Sequence, residues 1–293
     1  DMKRVLSLFL ILCLVFALTG CMSDEERQSR KEALNALNGG ETEYSLSTGT
    51  TLENQELFDG RNVIVQLAGI TGTPEYPELK LAVRNGTREN LNFSVNSLVI
   101  NGWEVDGWLD LYDVSPRTVT MGTIQCGSDL SLCGVTDISS VELSFEIYDG
   151  DYDTLASVSC SMETSYTGQD QEEYVPEGIT LLEADGIVVQ AAGLDTSDSG
   201  TILSLYVENG TGRTISLEAL QARWNGEPVE LSFYDRVSPG CRRMVSQWIY
   251  TEDDYEDVLM LDGDLLAFQL KVMDWDTGIA LNEAQVSLDP AQF

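Results

Sequence analysis

Gly20 and Cys21 close an almost wholly apolar run that begins behind Lys3 and Arg4, so a thiol directly follows a small residue where a leader would be cut. Farther along, Trp103, Trp108 and Tyr112 crowd into NGWEVDGWLDLY among carboxylates. Flat apolar rings beside acids that bond hydroxyls make these three residues candidates for contact with a glycan, although large aromatics in a sheet protein also plug cores. Asp149, Asp151 and Asp153 alternate as a calcium loop begins, but Thr154 and Cys160 stand where an EF-hand places glycine and a bidentate glutamate. A hairpin turn whose aspartates accept backbone hydrogen bonds is the expectation there. The chain has no histidine, which removes serine triads, Cys-His pairs and HExxH zinc sites. Its 49 acidic residues leave a two-carboxylate acid-base enzyme open as the alternative reading, without singling out a pair.

Six cysteines are present. Cys126 and Cys133 flank the polar loop CGSDLSLC and are candidates for a small disulfide, while Cys160 and Cys241 lie in different parts of the chain. None of these spacings suits a four-sulfur zinc site, and neither metal nor cofactor is expected.

Val5 to Ala17 give about 13 apolar residues, against the roughly 20 that a helix needs to cross a bilayer. The run is therefore a signal-peptide core rather than a membrane span. Leu18-Thr19-Gly20-Cys21 at its end resembles the lipobox of a bacterial lipoprotein. That resemblance implies cleavage after Gly20, a diacylglyceryl group on Cys21, and anchoring to membrane lipid at the outer face of the cytoplasmic membrane. Two acyl chains give stable attachment where one gives only reversible binding.

With 16 basic residues the net charge is −33. Such a field repels nucleic acid and anionic headgroups, so no nucleic-acid partner is expected. After the leader, 1–20, residues 21–54 read as the lipidated N-terminus and a tether. Ser23 ahead of DEERQSRKEALNAL and Gly39-Gly40 after it are helix start and stop signals. ETEYSLSTGTTLENQ has the composition of a flexible linker.

The remainder repeats itself at a spacing of about 124 residues. Leu79 to Thr87 (LKLAVRNGT) returns as Leu203 to Thr211 (LSLYVENGT), and Val63 to Gly69 returns as Ile187 to Gly193. Asn101-Gly102, Tyr112-Asp113 and Leu143 to Asp149 return as Asn225-Gly226, Tyr234-Asp235 and Phe268 to Asp274. Within these landmarks apolar residues alternate with polar ones, the pattern of half-buried antiparallel strands, and Asn-Gly pairs mark tight turns. The expectation is an all-β protein with one sandwich over 55–163, a linker over 164–178 and a second sandwich over 179–293, each of about seven strands and of immunoglobulin type. Asn85-Gly86-Thr87 and Asn209-Gly210-Thr211 match the glycan acceptor pattern and are read as turns.

The strands reading LAVRNGT and VELSFEIYD resemble those of small immunoglobulin-like domains in lipoproteins of Gram-positive bacteria. The resemblance implies fold rather than task. Together these features point to a non-catalytic binding or envelope-structural module whose partner is an envelope protein or polysaccharide. An accessory subunit of an envelope or transport complex is a further alternative.

Overall fold

A computed structural model describes residues 23–40, 44–128, 130–167, 174–197, 200–250 and 265–293. Gly20 and Cys21 lie outside the described residues. The protein is predominantly β, with sandwich-like antiparallel sheets and one α-helix among the described residues.

In the first repeat the strands are β1 (Gln55–Gly60), β2 (Val63–Gly72), β3 (Pro77–Asn85), β4 (Asn92–Ile100), β5 (Trp103–Val105), β6 (Gly107–Leu109), β7 (Thr118–Cys126), β8 (Ser140–Tyr148) and β9 (Thr154–Glu163). The second repeat contributes β10 (Ile179–Ala184), β11 (Ile187–Ser197), β12 (Gly200–Asn209), β13 (Ile215–Trp224), β14 (Glu227–Pro228), β15 (Arg236–Val237), β16 (Arg242–Ile249), β17 (Leu266–Asp274) and β18 (Ala280–Leu288). Alternation is visible in the burial. Val141, Leu143, Phe145 and Ile147 of β8 all face inward, as do Leu266, Phe268, Leu270 and Val272 of β17.

The duplication extends to irregularities of the backbone. The β1/β2 ladder slips between Glu56 and Phe58, and the β10/β11 ladder slips between Thr180 and Leu182. The β2/β3 ladder slips between Leu67 and Gly69, and the β11/β12 ladder between Ala191 and Gly193. Both pairs of bulges fall at the offset that relates the two sequences. So do the turns: Asn101-Gly102 and Asn225-Gly226 each take two successive positive φ angles, the geometry that closes a two-residue hairpin.

Each NGT segment is a buried clip. Asn85 donates through Nδ2 to the carbonyls of Glu89 and Val114, both at 2.8 Å, and its Oδ1 accepts from the Thr87 amide at 2.9 Å and hydroxyl at 2.7 Å. Asn209 does the same with Arg213 and Val237, at 2.7 and 2.8 Å, and with Thr211, at 3.0 and 2.7 Å. Both asparagines are fully buried, with their donor and acceptor capacity spent on backbone and threonine.

The described fold divides into two compact units. The first runs to Asn96 and adds Gly107–Cys126 and Leu143–Ser165. Its sheets are β1-β2-β3-β7-β6 and, in the other layer, the start of β4, the end of β8 and β9. The second takes Ser97–Asp106 and Gly127–Glu142 from the first repeat together with everything from Tyr166. In it β10-β11-β12-β16 continues into β5, the end of β4 and the start of β8. Its other layer is β14-β13-β17-β18, with β15 also on β13. Leu203, Leu205, Val207 and Val245 meet Leu217, Trp224, Phe268 and Leu270 in the core between those layers.

The segment expected to be a tether is docked on the first unit. Helix α1 (Asp24–Leu37) starts with a capping box: Ser23 Oγ accepts from the Glu26 amide at 3.1 Å, and Glu26 Oε2 accepts from the Ser23 amide at 2.7 Å. Asp24, Glu25 and Glu26 suit the positive end of the helix. Ala33 and Ala36 are wholly buried against Ala68 of β2 and Ala82 of β3. Four side chains that end at Cβ let the helix lie close on the outer face of the sheet. Asn54 Nδ2 donates to the Ala36 carbonyl at 3.1 Å, and Gln66 donates to Asn54. Tyr44 donates to Glu32 at 3.1 Å, and burial together with that carboxylate pushes its phenol up to about 12. Leu46, Thr50 and Leu52 are buried, so the described part of the Ser/Thr-rich stretch, from Tyr44 on, is held in place. Composition alone suggested a linker; the apolar residues spaced through it pin it down.

Candidate functional site

Trp103 does not share a surface with Trp108 and Tyr112. In the second unit its ring is 2% exposed, meets Tyr206 edge-on at 5.7 Å between centroids, and lies 4.9 Å beneath the Arg242 guanidinium. The Arg242 amide donates to the Gly102 carbonyl at 2.9 Å, where β16 and β5 pair in parallel. Trp103 is a core residue, and its expected part in glycan contact is corrected accordingly.

Trp108 and Tyr112 belong to the first unit and are 66% and 73% exposed. Between them Leu109 and Leu111 are buried while Asp110 points outward, so Trp108, Asp110 and Tyr112 form the outer row of an extended segment. The row is rigid. The Asp110 amide donates to the Thr123 carbonyl at 3.1 Å, and Asp110 Oδ1 accepts from the Thr123 amide at 2.5 Å. Leu111 sits over Gly122 of β7, where an added Cβ would come within 2.3 Å of it.

The second repeat builds the same base. Leu231 and Phe233 are buried, and Tyr234, the counterpart of Tyr112, is 80% exposed. Beside it runs a groove of about 540 Å³ whose polar lining comes from Gln221, Arg223, Glu230, Ser232 and Tyr234. Gln221 has φ 56, a left-handed conformation uncommon outside glycine, at the bulge where the β13/β17 ladder slips between Leu220 and Arg223. The bulge changes which residues face the core: Ile215 and Leu217 point inward before it, Ala222 and Trp224 after it. Gln221 and Arg223 are thereby exposed along the groove, and Arg223 Nη1 donates to the Gly226 carbonyl at 2.8 Å.

A smaller cleft of about 240 Å³ in the same unit is lined by Glu104, Asp106, Cys133, Asp235, Arg243 and Met244, among others. Its charges are spent on one another. Arg243 Nη2 reaches Asp106 at 2.8 Å and also Asp235, and Glu104 accepts from the Ser238 amide and, at 2.9 Å, from its hydroxyl. The buried Arg243 Nε has no hydrogen-bond partner among the described residues. Carboxylates already committed to a guanidinium and a serine make this a clasp for β5 and the segment before β16.

Asp149 Oδ1 accepts from the amides of Asp151 and Asp153 at 3.0 and 2.9 Å, which is turn chemistry. In the second repeat Asp274 accepts from the Thr277 amide at 3.0 Å and from Arg213 at 2.9 Å, and these bonds hold its carboxyl below the usual range. Cys126 ends β7 half-exposed, and Cys133 is buried at the end of a 3₁₀ turn, Leu130–Cys133. Both are thiols, so the expected bridge is not made in this structure. Cys241 is buried near Glu104 and Glu142, and burial foremost, with those charges, pushes its thiol up to about 11.

No protein-family profile and no curated protein matches the chain. Among the solved structures that align with it, two do so over most of its length. One is a conserved domain protein from Bacillus anthracis, 11% identical, covering 82% of this chain and 91% of that one with a TM-score of 0.29. The other is a protein of unknown function from Porphyromonas gingivalis W83, also 11% identical, covering 74% and 92% with a TM-score of 0.21. At these scores the likeness says nothing about activity, and the fold stands on the strand pairings alone.

Tyr234 and its groove were not singled out from sequence. The recurring Tyr-Asp pair was the available signal, since two exposed rings at equivalent places in a duplicated chain ask for an explanation that two buried ones do not.

Proposed function

We propose that the protein is a lipid-anchored, extracytoplasmic binding module without catalytic activity, built of two immunoglobulin-like sandwiches. In strand order the two repeats correspond: β1-β2-β3-β7-β6 and β5-β4-β8-β9 come from the first, β10-β11-β12-β16 and β14-β13-β17-β18 from the second. The short middle strand that joins the later strands in each repeat supports the immunoglobulin-like reading. The observation that carries the binding role is the pair of exposed tyrosines, Tyr112 and Tyr234, each held out from a buried apolar base at the same place in its repeat. An exposed tyrosine offers a flat apolar face with a polar tip, which suits contact with a partner.

Anchoring rests on Leu18-Thr19-Gly20-Cys21. Ser23, where the docked helix starts, follows Cys21 by two residues, or about 7 Å of extended chain. An acylated Cys21 therefore holds the first unit close to the bilayer rather than on a stalk. Mass spectrometry of the native protein is expected to find a mature chain that begins at diacylated Cys21. Pull-down from solubilised envelope with that protein as bait is expected to retain a partner that Tyr112→Ala together with Tyr234→Ala releases. An intact leader, an unmodified Cys21, or retention indifferent to both tyrosines would overturn the proposal.

A further inference from the structure

We infer that the groove along β13 in the second unit binds a neutral oligosaccharide, with Tyr234 stacking on a sugar ring. The inference deepens the binding role proposed above and rests on it. Four observations support it together. The groove's volume of about 540 Å³ falls in the range of small-ligand sites, which span about 300 to 1,000 Å³. Tyr234, 80% exposed, lines the groove and offers its ring to a flat apolar sugar face.

The rest of the lining is suited to hydroxyls. Gln221 brings an amide that both donates and accepts, Arg223 a guanidinium whose Nη1 meets the Gly226 carbonyl and whose other donors reach along the groove, and Ser232 a hydroxyl of either sense. One cation and one anion on the lining oppose each other, which fits an uncharged ligand better than an ionic one. Finally, Gln221 is held in a left-handed conformation at the β13 bulge, a local cost of the kind that collects at binding sites. Without the slip between Leu220 and Arg223 the side chain at 221 would not be set beside Arg223 over the groove. Binding needs no covalent step; the sugar exchanges water for the ring face and for hydrogen bonds to Gln221, Arg223 and Ser232.

The test uses the full mature chain and neutral tri- to hexasaccharides of glucose and of N-acetylglucosamine as probes, read by calorimetry. At least one series is expected to bind with a Kd in the micromolar to millimolar range. Tyr234→Ala weakens it by about tenfold, the order that one aromatic contact contributes. Tyr234→Phe keeps the ring and stays within about threefold, and Trp108→Ala leaves the affinity unchanged. The exposure of Tyr234 makes these variants safe for folding, which a thermal melt confirms. Binding that ignores Tyr234→Ala but falls with Trp108→Ala or Tyr112→Ala would overturn the groove and leave the binding role standing. Tyr234-dependent capture of an extended peptide in place of any saccharide would overturn the ligand class. Absence of both saccharide binding and any envelope partner would overturn the inference and the role beneath it.

Discussion

Asn209→Ala removes four hydrogen bonds from a fully buried side chain and offers the sharpest measure of what the repeated NGT clip contributes. The Arg213 carbonyl still receives the Thr211 hydroxyl at 3.2 Å, but the buried Val237 carbonyl loses the Asn209 side-chain donor. With about 1 kcal/mol net for each ordinary bond and 1 to 3 for a buried group left unsatisfied, the loss is about 3 kcal/mol once the partly exposed Thr211 turns to water. For a body of this size that lowers the melting temperature by about 6 to 12 °C. Thermal melts and hydrogen exchange read it, with faster exchange in β12, β13 and β16 and little change in β1 to β3. Asn85→Ala makes the mirror-image loss of similar size in the first repeat, because the four distances match to about a tenth of an ångström. Asn209→Asp keeps the acceptor toward Thr211 but sets a carboxylate against two carbonyls, and is expected to be at least as destabilising at neutral pH. A loss below about 1 kcal/mol for either alanine variant would refute the clip as a stabilising element.

Trp103→Ala, which empties a buried site against Tyr206 and Arg242, is expected to cost about 3 to 5 kcal/mol by chemical denaturation, whereas Trp108→Ala stays within about 0.5. Ala36→Glu drives a carboxylate into the Ala68 and Ala82 face, and hydrogen exchange should then rise in β2, β3 and β7 as α1 lifts; unchanged protection would mean that the helix contributes nothing to the sheet. Cys241, with its thiol pushed up to about 11, is expected to resist alkylation at pH 8 in the native protein and to react after denaturation, while half-exposed Cys126 reacts first. The Asp274 carboxyl is lowered by the Thr277 amide and Arg213, so its contribution is present above the ordinary carboxylate range and is lost as the pH falls through its lowered value. Asp274→Asn should therefore flatten the acid limb of a stability titration, and an unaltered limb would deny the linkage.

Much of the architecture is legible in the amino-acid order. The alternating strands and the positive-φ turns at Asn-Gly depend on neighbours within a few residues, and the duplication shows as direct self-similarity, so sequence carries all three, whereas the bonds from Asn85 to Val114 and from Asn209 to Val237 span 29 and 28 residues. Other features escaped. Period-two parity cannot be carried across the Asp106-Gly107 break, where β5 ends and β6 begins. Sequence therefore could not tell that Trp103 points into a core while Trp108 points to water. The Ser/Thr-rich stretch read as a linker because Leu46 and Leu52 are too few to show a period, yet they are enough to anchor it.

By itself, then, the amino-acid order determined that this is a doubled β protein without histidine and with a strong negative charge. Tertiary structure decided which face of each strand is buried, that Ala33 and Ala36 find Ala68 and Ala82, that Ser97–Asp106 joins the second unit, and that Tyr112 and Tyr234 remain outside. The division has a physical cause. Turn and strand preferences are set by each residue's own backbone and nearest neighbours, whereas burial is settled between residues far apart in the chain, whose meeting no short window of sequence records.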